Sequence, residues 1–201
     1  MFSNHYFIEL LQVEAELTAE AFAAMSRGLR DHGPCRRGGF RKIERIWRRT
    51  RRIDRAITER LERTLITPLA AEDIRALSTR LNRILESLLE AAWKQSALQS
   101  GLVAGPLTEM YEKVFRSSKD LAGAVSSLPQ GASIAQFAIC LRENHRQVKQ
   151  LQRSSVVDLM VPGADPIEVM LWKHAYELPV AILKQLIDMA CNLQRARLKN
   201  N

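Results

Sequence analysis

Arg41, Arg45, Arg48, Arg52 and Arg55 recur at steps of three and four residues within RRGGFRKIERIWRRTRRIDR, residues 36–55, and Arg51 lies among them. On an α-helix that spacing stacks side chains along one face. Guanidinium groups so arranged can grip phosphate or anionic lipid headgroups through paired hydrogen bonds. A solvated helix face is the competing reading, and a nucleic-acid groove reader is a third. Against the third, the chain has no helix-turn-helix or zinc-finger spacing and no aromatic interleaving suited to single strands. The bias extends to the whole chain: 30 Lys and Arg against 22 Asp and Glu give a formal charge of +8 and a pI near 9.8. Such a field favours anionic partners.

Other chemistry is sparse. His5, His32, His145 and His174 are scattered, and Cys35, Cys140 and Cys191 are odd in number and far apart. No zinc spacing, disulfide framework, nucleophile motif or paired-acid arrangement emerges. DHGPCRRGGF, residues 31–40, is glycine-rich but follows a helical pattern rather than a strand, so it does not read as a phosphate loop. Enzyme is therefore the least favoured class, and no cofactor is expected. Asn82 and Glu86 stand one helical turn apart beside an apolar stripe, either as a remnant polar or metal site or as ordinary boundary residues. His145 falls on the apolar rhythm of Leu141 and Val148 and reads as an interior histidine. Trp47, Trp93 and Trp172 read as packing residues of the core or of a partner surface.

The elements that position these residues are helical. Breakers fall at 31–39, 67–68, 100–106, 128–133 and 161–166, and they separate six segments. Each segment carries apolar residues three and four apart. Examples are Ile43, Ile46, Ile53, Ile57 and Leu61; Ile74, Leu77, Leu81, Ile84, Leu88 and Ala92; and Ile167, Leu171, Leu178, Ile182, Leu186, Met189 and Leu193. Period-two alternation is absent, so no sheet is predicted. Six helices of roughly 25 residues, each about 38 Å long, must run mostly antiparallel to bury their stripes. The expected fold is an all-α, elongated six-helix bundle. Pro68 should end the second helix and stand near the first position of the third, with Glu72 and Asp73 at the positive end of its dipole. Pro179 should kink the last helix. The N-terminal stretch has no basic region and carries Glu9, Glu14 and Glu16, which argues against a secretory signal, and no apolar run reaches a membrane span.

Two turns match. LITPLAAEDI at 65–74 and LMVPGADPIEV at 159–169 both read Leu-x-x-Pro-x-Ala, 94 residues apart. A duplication follows from this: one domain, 1–201, made of three-helix repeats at about 1–101 and 102–201.

At these turns, TLITPLAAEDIRALSTRLNRILESL and DPIEVMLWKHAYELPVAILKQLIDMA resemble the middle and C-terminal signatures of the PhoU-like proteins that accompany Pit-type inorganic phosphate transporters. The resemblance implies two three-helix repeats in a cytosolic, non-enzymatic regulator or accessory factor of phosphate uptake. It also implies acidic pairs one turn apart that hold metal clusters. Here those positions fall near Trp47 and Arg51, at Asn82 and Glu86, near His145 and Lys149, and near Val180 and Lys184, with Glu44, Asp54 or Glu143 as neighbours if the register shifts. No full pair survives. Cations beside Arg48, Arg51, Arg52 and Lys149 would meet repulsion on the order of several kcal/mol at partial burial. The expectation is a diverged member that holds no metal cluster. It should dock through Arg41, Arg45, Arg48, Arg51, Arg52 and Arg55 on a phosphate transporter or on the anionic inner membrane surface. Nucleic acid is the weaker partner class, a metal-binding bundle is another alternative, and self-association stays open.

Overall fold

Long amphipathic segments with two apolar positions per turn gain most by lying side by side, and the chain does so in six helices. The computed structural model describes residues 3–30, 37–97, 104–128 and 134–199. The helices are α1 (Ser3–Arg30), α2 (Arg37–Leu61), α3 (Ala71–Ala97), α4 (Ala104–Ser126), α5 (Ile134–Leu159) and α6 (Pro166–Lys199). Among the described residues there is no strand, and no helix is long and apolar enough to cross a membrane.

Packing has the same plan in both halves. α1, α2 and α3 pack on one another pairwise, as do α4, α5 and α6, and the two trios meet through α1 on α4 and α3 on α6. Neighbours run in opposite directions: Gln12 near the start of α1 donates to the Ser126 carbonyl at the end of α4, and Arg30 at the end of α1 pairs with Glu112 near the start of α4. The two proline corners therefore lie at opposite ends of the bundle. Lys199, at the C-terminal end, pairs with Glu72 and Asp73 beside the first corner at 3.2 Å. Lys94 at the end of α3 meets His174 near the second.

One apolar core runs through both halves. Ile74, Leu77, Leu81, Ile84, Leu88 and Ala92 of α3 are all buried, as are Ile182, Leu186, Met189 and Leu193 of α6. Two expected members are not: Ile167 and Leu171 are 69% and 51% exposed. Both lie in the first two turns of α6, so periodicity alone assigned a core face that the packing leaves uncovered.

The corners differ in detail from expectation. Pro68 is not at the first position of α3, which begins at Ala71; the Ala70 carbonyl accepts from the Ile74 amide, and Pro68 stands outside the helix in a turn where the Thr67 hydroxyl donates to the Leu69 carbonyl. Glu72 and Asp73 do occupy the first turn. The expected arrangement is found at the second corner instead. Asp165 caps α6 by accepting from the Ile167 amide at 3.0 Å, and Pro166 opens the helix, where its missing N–H costs nothing. Gly163 makes the turn possible with φ of +86°, a conformation that side-chain-bearing residues avoid. Gly38 and Gly39 lie inside the first turn of α2 rather than in a break. The remaining breaks at 31–36, 98–103 and 129–133 are outside the described residues. α6 continues through Pro179, which is buried.

Candidate functional site

α2 turns its two chemistries to opposite sides. Ile43, Ile46, Thr50 and Ile57 face inward and are buried, while Arg41, Arg45, Arg48, Arg51, Arg52 and Arg55 are all exposed on the outer face. A helical turn of 3.6 residues puts the two stripes nearly back to back. Trp47 lies half-buried on the flank and forms, with Arg48, Arg51, Arg52 and Arg55, the wall of a shallow groove. The Arg51 guanidinium is 5.2 Å from the centre of the Trp47 ring and 3.9 Å from Glu86. Arg48 is held by Glu44 at 2.7 Å. Among the described residues Arg41, Arg45, Arg52 and Arg55 make no ion pair, although Arg45 Nε donates to the Arg41 carbonyl at 3.4 Å, so four guanidinium groups have no carboxylate partner. Arg neighbours one turn apart repel by about 0.2–0.5 kcal/mol per pair. This face thus lowers the stability of the isolated helix.

The pair Asn82 and Glu86 is divided. Glu86 is exposed and faces Arg51, whereas Asn82 is buried and turns into the first trio. There it meets a side chain which the sequence reading passed over. Glu14, fully buried on α1, accepts from Asn82 Nδ2 at 3.1 Å and lies 3.0 Å from Ser78 Oγ. Ser78 Oγ is also 2.8 Å from Asp54 Oδ1 on α2. A serine hydroxyl carries one proton and cannot donate to two carboxylates. A neutral Glu14 resolves the conflict: its proton goes to Ser78, and that of Ser78 to Asp54. Burial pushes the Glu14 carboxyl up to about 8, with Asp54 adding to the rise, while the hydrogen bonds that Ser78 and Asn82 would give the ionised carboxylate oppose it. Glu14 Oε2 and Asn82 Oδ1 remain without a partner in this cluster. The signal in the sequence was positional. Phe7, Leu11, Glu14, Thr18, Ala21 and Met25 advance by alternate steps of four and three, and all are buried.

At the corresponding distance from the second corner the chemistry is reversed. Ser78 and Asn82 lie ten and fourteen residues after Pro68; Trp172 and Tyr176 lie ten and fourteen after Pro162. Both aromatics are buried, with ring centres 5.9 Å apart. Asp54, fourteen before the first proline, is matched by buried Val148 before the second.

The positions that the family resemblance would give to metal-holding acids do not fit a cation. Arg51 covers Glu86 in the first half. In the second, half-buried His145 is held below its ordinary value by desolvation and then by Lys149 and Lys184. Three basic side chains thus converge where carboxylates would be required, and cations added to them would be repelled. Among the described residues no three His, Cys, Asp or Glu side chains are grouped as metal ligands would be.

No family model matches the sequence, and no curated protein does. Solved structures do. A PhoU-like protein from Shewanella oneidensis MR-1 superposes with a TM-score of 0.83 at 13% identity, over 96% of this chain and 99% of the other. A second protein from the same organism, described as a PhoU-like phosphate regulatory protein, gives 0.80 at 12% identity over 96% and 99%. Near-complete coverage in both directions, with six helices in one continuous core, means that this chain has the fold of the PhoU-like proteins.

Proposed function

We propose that the chain is a non-enzymatic regulator or accessory protein of inorganic phosphate transport, and that it docks through the arginine face of α2 on the anionic inner membrane surface or on acidic loops of a transporter. The fold supports the regulatory class, because a protein described as a PhoU-like phosphate regulatory protein shares it over nearly the whole chain. The observation that carries the docking mode is the exposed, largely unpaired ladder from Arg41 to Arg55. Each guanidinium near an anionic bilayer surface contributes about 1 kcal/mol, so four free groups suffice for reversible attachment at moderate salt. Attachment of this kind weakens steeply with added salt.

The test is co-sedimentation with vesicles of phosphatidylglycerol and phosphatidylcholine. Wild-type protein is expected to bind the anionic vesicles alone, and the triple change Arg48→Gln, Arg51→Gln, Arg52→Gln to weaken that binding at least tenfold. Binding to neither vesicle nor transporter, or binding indifferent to the triple change, overturns the docking mode. Restoration of phosphate uptake in cells lacking the gene tests the regulatory class separately.

A further inference from the structure

The tip of the α5–α6 hairpin differs from the rest of the surface in two respects. Val157, Met160 and Val161 at the end of α5, and Ile167, Met170 and Leu171 at the start of α6, are all more than half exposed, from 51% to 71%. Ile167, Met170 and Leu171 follow the i, i+3, i+4 spacing and share one face of α6, while Val157 lies in the last turn of α5 and Met160 and Val161 in the turn that follows it. The second respect is charge. Between Arg153 and Lys173 the sequence has no Lys or Arg and three carboxylates, Asp158, Asp165 and Glu168, in a chain that is otherwise basic.

The tip is also built to hold its shape. Pro162 and Pro166 restrict the backbone, Gly163 takes φ of +86°, the Ala164 amide donates to the Val161 carbonyl at 3.1 Å, and Asp165 caps α6. Six apolar side chains on a rigid corner cannot fold back into the core. An exposed apolar patch rimmed by charge is the mark of a contact surface.

We propose that this hairpin tip is a docking surface for a Lys/Arg-rich amphipathic helix of a partner protein. The partner's apolar stripe would cover the two trios, and its cations would meet Asp158, Asp165 and Glu168. Other occupants fit less well. An anionic bilayer would meet Asp158 and Asp165, exposed carboxylates in a segment that holds no Lys or Arg. A second copy joined patch to patch would set like charge against like, as a two-fold interface requires. Cytoplasmic loops of membrane proteins carry an excess of Lys and Arg, so the tip suits the transporter-facing end in the reading above; it rests on that reading only for the partner's identity. α2 would then serve lipid phosphates and the tip a basic loop, at separate places on the molecule.

The test uses two labelled 18-residue peptides with leucines at helical i, i+3, i+4 spacing, one with Lys and Arg at the remaining positions and one with Glu. Fluorescence anisotropy is expected to show binding of the basic peptide alone, weakened by salt. The pair Ile167→Ser, Met170→Ser should reduce affinity at least tenfold and Asp158→Asn a few-fold, with unchanged melting curves because all three side chains are exposed. The α2 triple change to Gln should leave this binding intact, so failure of one surface is distinguishable from failure of the other. Equal binding of the acidic peptide, or binding indifferent to the serine pair, overturns the proposal. So does a dimer that the serine pair dissociates, or vesicle binding that the serine pair abolishes.

Discussion

The two trios share a packing plan but fill their centres with opposite chemistry. In the first, Glu14, Asp54, Ser78 and Asn82 are joined by hydrogen bonds of 2.8 to 3.1 Å. In the second, Val148, Trp172 and Tyr176 occupy the matching places measured from the proline corners. The aromatic centre stabilises by area removed from water and by ring contact, neither of which depends on pH. The polar centre depends on the protonation of one acid. A bundle geometry thus tolerates either filling, the polar one while leaving Glu14 Oε2 and Asn82 Oδ1 without a hydrogen-bond partner.

The largest test of this contrast is pH. An ordinary carboxyl titrates near 4.5, while Glu14 in the folded chain titrates at about 8. The folded state therefore holds a proton that the unfolded state releases, and this group's contribution to stability is intact below 4.5 and is lost progressively as pH rises toward 8. Over that window the shift corresponds to about 5 kcal/mol at most. Glu14→Gln keeps the shape and cannot ionise. Urea melts at pH 5 and pH 8.5 should show the variant gaining several kcal/mol over wild type at the higher pH, and a constant difference between them would refute a neutral Glu14.

Next in size, Trp172→Ala should cost about 3–5 kcal/mol at every pH, because it leaves a cavity in an apolar centre. A pH-dependent cost would mean that the second centre is coupled to the first. Ser78→Ala should cost about 1–3 kcal/mol by removing the hydroxyl between two carboxyls, and it should enlarge the pH dependence that Glu14 creates. Smallest in stability is the triple change of Arg48, Arg51 and Arg52 to Gln. Relief of repulsion should offset the lost Glu44 and Glu86 contacts to within about 0.5 kcal/mol. Thermal melts should barely move while binding to anionic vesicles falls.

Much of the molecule was legible from the chain. The inner faces of α3 and of the later part of α6 follow directly from apolar spacing, and the outward arginine ladder follows from the same count. The errors share a cause. Ile167 and Leu171 continue a correct helical rhythm on a face of α6 that the packing leaves exposed. Pro68 and its match Pro162 both stand outside a helix, and it is Pro166, with Glu72 at the corresponding place in the first corner, that opens α6, because Asp165 immediately before it can cap. Glu14 was read as a charge that disqualifies a signal sequence, when its place in an apolar register pointed inward.

By itself the sequence determined where helices form and which side of each is apolar, since both depend on residues within one or two turns of one another. The partners of those faces are set by residues far apart in the chain. Glu14 reaches Ser78 and Asn82 across more than sixty residues, and the packing of neighbouring helices decides whether an apolar turn is covered. Burial and proton affinity are properties of that assembled surrounding, so only the tertiary structure could show a neutral acid in one trio, an aromatic pair in the other, and an uncovered apolar tip at the end of the bundle.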